Sequence, residues 1–355
     1  MNIELDQTAP IRPGEGLDLA RLEAYLFAYL PQFAGRLAVE QFPHGHSNLT
    51  YLLRLGTTEL VLRRPPFGNQ VATAHDMGRE YRVLSKLSIV FPEAPRPYLF
   101  CDHASVIGAP FYVMERRQGL ILRRSLPSGF TLDPESARRL GHSLIQTLSR
   151  LHAVDYQAAG LGDLGKPAGY VARQVTGWIN RYNNARTDDL AAMDQITRWL
   201  TEHQPPESGV AVIHNDFKYD NVVLDPANVT RIVAVLDWEM ATLGDPLMDL
   251  GTTLGYWVEA GDPEPLRSAA VGPTMLKGSL SRRELVEHYQ EASGREISSP
   301  RFYYCFGLFK VAVIIQQIYA RFARGHTHDP RFAKMNEVVA VMSQQAVRAI
   351  ESEAI

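Results

Sequence analysis

One stretch constrains this chain more than any other: Val210 to Asp249, in which apolar strands end in polar groups. Four apolar residues, Val210 to Ile213, read as a buried strand and break at His214 into a run carrying Asp216, Lys218, Asp220 and Asn221. A hairpin follows. It runs from Val222 to Leu224, turns at Asp225-Pro226-Ala227-Asn228, and returns as a strand, Ile232 to Leu236, that ends on Asp237. Side chains delivered at the ends of buried strands are held by a rigid sheet, which suits chemistry that needs fixed geometry.

His214-x-Asp216-x-Lys218-x-x-Asn221 has the spacing of the catalytic loop of protein kinases, and Asp237 stands where their metal-binding Asp stands. Phosphoryl transfer explains these residue types. A carboxylate must accept the proton of an acceptor hydroxyl, an amide oxygen and a second carboxylate must hold Mg²⁺, and a cation must balance charge on the moving group. Asp216 is read as the base, Lys218 as the γ-phosphate contact, and Asn221 and Asp237 as the metal ligands. Asp237 is followed by Trp238-Glu239, not by the Phe-Gly of protein kinases, and that departure points away from them.

These residues resemble the motif of the aminoglycoside phosphotransferase family, small-molecule kinases of protein-kinase architecture that carry H-x-D-x-x-x-x-N, then I/L-D-W-E and G-D-P. Here the last two are Leu236-Asp237-Trp238-Glu239 and Gly244-Asp245-Pro246. In more detail the chain is similar to the kinase-like domain fused ahead of the dehydrogenase in acyl-CoA dehydrogenase family members ten and eleven. The shared wording includes Ser47-Asn48-Leu49-Thr50-Tyr51, Val61-Leu62-Arg63-Arg64-Pro65-Pro66, Arg79-Glu80-Tyr81, Phe111-Tyr112-Val113-Met114-Glu115 and Val235 to Glu239. The resemblance implies an α+β, bilobal, protein-kinase-like fold: a nucleotide-binding lobe with a small antiparallel β-sheet, residues 1–115, and a mainly helical catalytic and acceptor-binding lobe, residues 116–355. It also implies ATP and Mg²⁺, and transfer of the γ-phosphoryl group to a small-molecule hydroxyl, of a hydroxyacyl-CoA or related hydroxy acid. An aminoglycoside phosphotransferase and a catalytically silent nucleotide-binding pseudokinase are the alternatives.

Composition agrees with a globular enzyme, since 355 residues at 45% hydrophobic and 21% charged suffice for two lobes with cores. A net charge of -3 argues against a nucleic-acid or anionic-membrane binder, which needs basic excess. Cys101 and Cys305 lie far apart, with no disulfide or metal spacing, and MNIELDQTAP has no secretory pattern, so a cytoplasmic location is expected. The long apolar region Phe302 to Ala323 is interrupted by Lys310, Gln316 and Gln317, and reads as a buried helix of the larger lobe, not a membrane span.

In chain order, Leu17 to Leu30 has helical periodicity, and Leu37 to Phe42 and Leu49 to Leu55 read as strands around Pro43-His44-Gly45-His46-Ser47-Asn48. That turn is read as a cover for the nucleotide phosphates, Gly45 supplying backbone freedom and Ser47 and Asn48 hydrogen bonds; an ordinary hairpin tip is the other reading. His44 and His46 depart from the family's turn, G-G-Q-S-N. On the strand Glu59 to Arg63, alternation puts Val61 and Arg63 on one face, so Arg63 is the expected phosphate cation and Glu80, in the helix Asp76 to Leu87, its partner. Met114-Glu115-Arg116 is the expected hinge, where adenine bonds backbone groups.

Beyond the hinge, Ala137, Leu140, Leu144, Leu148 and Leu151 form one helical stripe behind the cap Asp133-Pro134. Trp178 and Tyr182 read as core before an acceptor wall. Gly244-Asp245-Pro246 follows Asp237 too closely for a long activation segment, so the active arrangement is expected to be built in. His214 is expected to bond backbone near Asp237, Asp245 and Asp249 to cap and brace the loop, and His152 to be structural. Arg301, Lys310, Arg321 and Arg324 among the aromatic residues of Phe302 to Phe322 suggest an anionic or partly apolar acceptor.

Overall fold

The protein is analysed as a computed structural model that describes residues 6–33, 35–43, 48–67, 76–127, 129–352 and 354–355. Asp18 caps the first helix, α1 (Leu19–Tyr29), by accepting from Arg21 N. A five-stranded antiparallel sheet follows, with β1 (Leu37–Gln41), β2 (Leu49–Leu55), β3 (Thr58–Arg64), β4 (Pro97–Cys101) and β5 (Phe111–Glu115) in the order β1-β2-β3-β5-β4. Helix α2 (Met77–Val90), capped by Asp76, and the short α3 (Ala104–Ile107) interrupt it in sequence.

The period of two along β3 decides which side each residue serves. Leu60 and Leu62 join Phe111 and Val113 in one cluster with Leu22 and Leu26 of α1 and Ile107 of α3. Val61 joins Tyr112 and Met114 on the opposite face, with Val83, Leu84 and Leu87 of α2, in the cluster that continues into the second lobe. Arg63 therefore shares the face of Val61 and looks into the cleft, while Arg64 shares the face of Leu62 and looks away from it.

The second lobe consists of α4 (Pro134–His152), α5 (Tyr170–Ala185), α6 (Ala191–Glu202), β6 (Ala211–Ile213), β7 (Val222–Asp225), β8 (Asn228–Val235), β9 (Thr242–Gly244), α7 (Pro246–Tyr256), α8 (Glu264–Ser268), α9 (Arg282–Ser293), α10 (Pro300–Ala323) and α11 (Met335–Ser352). Strands β6 and β9 pair antiparallel, as do β7 and β8. The catalytic-type loop leaves β6 and enters β7; the Asp237 turn leaves β8 and enters β9. Strand β9, like α3 and α8, was not expected from the sequence, because three to five residues are too few to show a period.

Helices α7 and α10 touch backbone to backbone. A Cβ on Gly307 would lie 1.8 Å from Gly251 O, and one on Gly255 would lie 2.6 Å from the Gly307 carbonyl carbon, so only glycine allows this crossing. Most of α10 is buried, as expected of a core helix, although it is long and apolar enough to cross a membrane. The close approach brings Lys310 of α10 beneath the loop at residues 214–216.

Candidate active site

Two residues set the loop geometry. Among the described non-glycine residues, only Asn215 (φ 70°) and Asp237 (φ 66°) have left-handed backbone, and such strain persists where surroundings over-determine it. Asn215 is held from every side. Its N–H donates to Asp249 Oδ1 at 2.6 Å, its Nδ2 donates to Met240 O at 3.1 Å, and Lys310 Nζ donates to its O at 2.8 Å and Oδ1 at 3.0 Å. Asp249 also accepts from His214 N at 2.7 Å and pairs with His152 Nε2 at 3.1 Å. Burial alone would raise the Asp249 carboxyl; His152, His214 and the main-chain donors hold it below the usual range. Asp249 braces the loop, while the cap of α7 falls to Asp245, which accepts from Leu247 N at 2.8 Å. His152 is buried and bonded to Tyr289 as well, a structural residue as expected.

His214 Nε2 donates to Leu236 O at 2.8 Å, which ties the loop to the strand end before Asp237, and its Nδ1 accepts from Asp216 N at 3.2 Å. One tautomer satisfies both bonds. Leu236 N donates in turn to Asn221 O at 2.8 Å.

Asp216 then carries four hydrogen bonds on its carboxylate. Lys218 Nζ lies 3.1 Å from Oδ1 and 2.9 Å from Oδ2, Asn221 Nδ2 donates to Oδ2 at 2.8 Å, and the Tyr256 hydroxyl donates to Oδ1 at 2.6 Å. Tyr256 was not anticipated. Burial and the Asp216 carboxylate push its phenol well above the ordinary value, so it stays a donor. Its position was readable in one respect: it lies seven residues after Asp249 on α7, hence two turns along the same face.

On the other side of the cleft, Arg63 Nη1 donates to Glu80 Oε1 at 2.7 Å and Nη2 to Asp237 Oδ1 at 2.9 Å, with Glu239 Oε2 at 3.5 Å. The expected Arg63–Glu80 pair forms, and one guanidinium serves carboxylates from both lobes. Burial wins at Glu80, whose carboxyl is raised despite Arg63. At the less enclosed Asp237 burial also raises, but Arg63, with His214 and Lys218, prevails and the carboxyl is lowered. Both Arg63 and Arg64 are buried. Arg64 donates to Ile107 O at 2.8 Å and to Pro65 O at 3.0 Å, far from these carboxylates in role and on the opposite face of β3.

Other interlobe ties had no sequence signal. Asn48, expected at the phosphates, donates from Nδ2 to Glu239 Oε2 at 2.7 Å, and Arg79 donates to the carbonyls of Glu239 and Ala241. Gly45 and Ser47, with His44 and His46, lie outside the described residues. At the expected hinge, Met114 is buried opposite Val61, and Glu115 N donates to Arg96 O at 2.9 Å, so that N–H is already used. The Glu115 side chain takes Arg96 N at 2.7 Å and Arg117 Nε at 2.6 Å.

A model described as the phosphotransferase enzyme family matches residues 38–285. The chain belongs to this family. It is 37% identical over 94% of its length to acyl-CoA dehydrogenase family member 11 of Gallus gallus, and 33% identical over 98% to family member 10 of Mus musculus. It spans 44% and 32% of those proteins, less than half of each. Among solved structures, a candidate aminoglycoside phosphotransferase from Ralstonia eutropha superposes with TM-score 0.80 at 31% identity, covering 95% of this chain and 99% of that one. APH(4)-Ia, an aminoglycoside phosphotransferase, shares the fold at TM-score 0.56 and 16% identity, over 92% and 98%. This phosphotransferase thus has the bilobal, kinase-like α+β architecture of its relatives.

In this phosphotransferase Lys310 and Arg301 of α10, and Arg324 just after it, take partners within the protein. Lys310 is buried, and besides Asn215 it donates to Thr252 Oγ1 at 3.2 Å; burial lowers its ammonium to about 8. Arg324 donates to Asn184 O at 3.0 Å, and Arg301 lies over the Trp199 ring at 5.7 Å. Trp178 and Tyr182 are core, Tyr182 packing on Phe309 at 6.4 Å. Charge alone could not separate a buried strut from a pocket wall.

Proposed function

We propose that this phosphotransferase moves the γ-phosphoryl group of ATP to the hydroxyl of a hydroxyacyl-CoA or related hydroxy acid, with Asp216 as general base. The observation that carries it is the Asp216 carboxylate held by Lys218, Asn221 and Tyr256 at the mouth of a cleft whose other wall is the Arg63–Glu80–Asp237 cluster. Asp216 takes the proton of the acceptor hydroxyl as that oxygen bonds the γ-phosphorus; the bond from phosphorus to the bridging oxygen breaks, and its electron pair leaves on ADP. Lys218 balances charge between the base and the moving group, and Arg63 meets the phosphates on the nucleotide side. The catalytic assignment favours turnover over a silent pseudokinase, because base, cation and both oxygen ligands are all present.

The residues fit Mg²⁺. Asn221 and Asp237 offer hard oxygen donors, and with Nδ2 of Asn221 spent on Asp216, its carbonyl oxygen is the group left for a cation. No cluster of three His, Cys, Asp or Glu suited to a metal occurs among the described residues, as befits an ion that takes its remaining ligands from phosphates and water. Bound there, the ion would neutralise charge on the phosphates. Support for ATP comes from APH(4)-Ia, whose ternary complex holds AMP-PNP and hygromycin B. Support for the acceptor class comes from the names of the relatives, both acyl-CoA dehydrogenase family members.

An ADP-release assay with hydroxyacyl-CoAs, hydroxy acids, amino alcohols, sugars and aminoglycosides tests the proposal. Hydroxyacyl substrates should give acceptor-dependent turnover that Asp216→Asn lowers about 10³-fold with ATP binding retained. Turnover of aminoglycosides alone would overturn the acceptor, and equal turnover by Asp216→Asn would overturn the base.

A further inference from the structure

We infer that Lys310 is a positioning residue for the base: it fixes the peptide plane between Asn215 and Asp216, and so aims the Asp216 carboxylate. This rests on the kinase reading above. A peptide unit is planar, so its direction is set once both of its polar edges are held. In this unit Lys310 Nζ donates to Asn215 O at 2.8 Å on one edge, and Asp216 N donates to His214 Nδ1 at 3.2 Å on the other. The Cα of Asp216 belongs to the same plane, so whatever turns the plane turns the base.

The turn before the base needs support from outside. Asn215 has φ 70°, a left-handed value that is unfavourable for a residue with a Cβ, less so for Asn than for most, and easy only for glycine. Asp249 holds the N–H of Asn215 at 2.6 Å, and Lys310 holds its carbonyl together with Oδ1, the latter at 3.0 Å. Without the ammonium the N–H side of this turn keeps its brace and the carbonyl side loses it.

The helix crossing delivers that ammonium. Lys310 lies one turn along α10 from Gly307, whose missing Cβ lets α10 rest against Gly251 of α7. Thr252, the neighbour of Gly251, supplies a third acceptor at 3.2 Å, so each N–H of the ammonium has a partner. Trp178 of α5 packs beside it, with its ring centre 5.7 Å from Nζ. Packing alone does not call for a charge here. Lys310 is 1% exposed and burial lowers its ammonium to about 8, whereas a methionine of similar length would fill the space with no charge to desolvate. What the lysine adds is three donors aimed at the turn and its support.

A double-mutant cycle on the full chain tests this, with steady-state kinetics at about pH 7, below the value near 8 at which Lys310 titrates, and whichever acceptor turns over in the ADP-release assay. Lys310→Met should lower kcat about tenfold or more, with KM for ATP within about twofold of wild type, the scale of losing two bonds to a strained turn. Asn215→Gly takes the left-handed turn unaided, so in that background Lys310→Met should lower kcat about threefold or less. Equal losses in the two backgrounds, wild-type kcat in Lys310→Met, or a rise in KM for ATP at constant kcat each overturn the positioning role. Lys310→Gln, with two donors in place of three, carries the same cycle if Lys310→Met does not fold. Amide hydrogen exchange gives an arm that needs no turnover: Lys310→Met should speed exchange at the N–H groups of Asn215 and Asp216 about tenfold relative to those of α4. If no acceptor turns over and this acceleration is seen, the positioning role stands and the kinase reading falls. Unchanged exchange at both groups overturns the role.

Discussion

The two walls of the cleft are built in different ways. The wall of Arg63, Glu80, Asp237 and Glu239 is made of ion pairs drawn from both lobes, whereas the surroundings of Asp216, made by Lys218, Asn221 and Tyr256, come from the second lobe alone. The first must answer phosphate charge, so its residue types are dictated by chemistry. The second has to hold one carboxylate in place, which an ammonium, an amide and a phenol do together. Lys218 and Tyr256 also touch each other, the ammonium lying 4.5 Å from the ring centre.

The sharpest way to break this contrast is at β3. Arg63→Ala leaves Glu80 buried without its cation, a loss on the order of 3–5 kcal/mol, and removes the charge facing the nucleotide. Steady-state kinetics should show a large rise in KM for ATP, and chemical denaturation a lower midpoint. Arg64→Ala should lower the midpoint through its lost contact to Ile107 O, yet leave KM for ATP near wild type. Equal kinetic effects from the two substitutions would mean that the faces of β3 do not divide their roles.

A smaller effect is expected where the walls meet. Tyr256→Phe keeps the ring and removes one donor to Asp216. It should lower kcat about tenfold, the scale of one hydrogen bond to a charged group, with KM for ATP unchanged. A change in KM for ATP with constant kcat would place Tyr256 on the nucleotide side.

The smallest effect concerns the strut beneath both walls. Burial lowers the Lys310 ammonium from 10.5 to about 8, so the folded state holds fewer protons than the unfolded chain between those values. Its contribution to stability should therefore rise as pH increases from about 8 towards 10.5, and be flat below about 8. Denaturant midpoints of wild type and Lys310→Met, compared across that window, isolate it. A difference that does not vary with pH would show that Lys310 is not the buried charge described.

Much of the nucleotide side was legible before any coordinates. The period of two on β3 put Arg63 on the cleft face, Glu80 was its expected partner, and His214 was expected to tie the loop to the strand before Asp237; both contacts are present. Asn48 was assigned to the phosphates on its place in a turn; the contact of its amide with Glu239, a residue 191 positions away, had no such local signal. Lys310 shows a related limit: composition records a charge without its direction, and Lys310 points under the loop.

By itself the sequence determined the family, the bilobal α+β fold and the order of the charged motifs, because alternation and motif spacing are local properties that survive without knowledge of neighbours. Only the tertiary structure decided that Tyr256 reaches Asp216, that Lys310 supports Asn215 and that Tyr219, Trp257 and Gly272 enclose one space. Those depend on how α7 packs against α10, where three glycines let two backbones touch. A carbon surface carries no mark in the sequence that separates a pocket from a core.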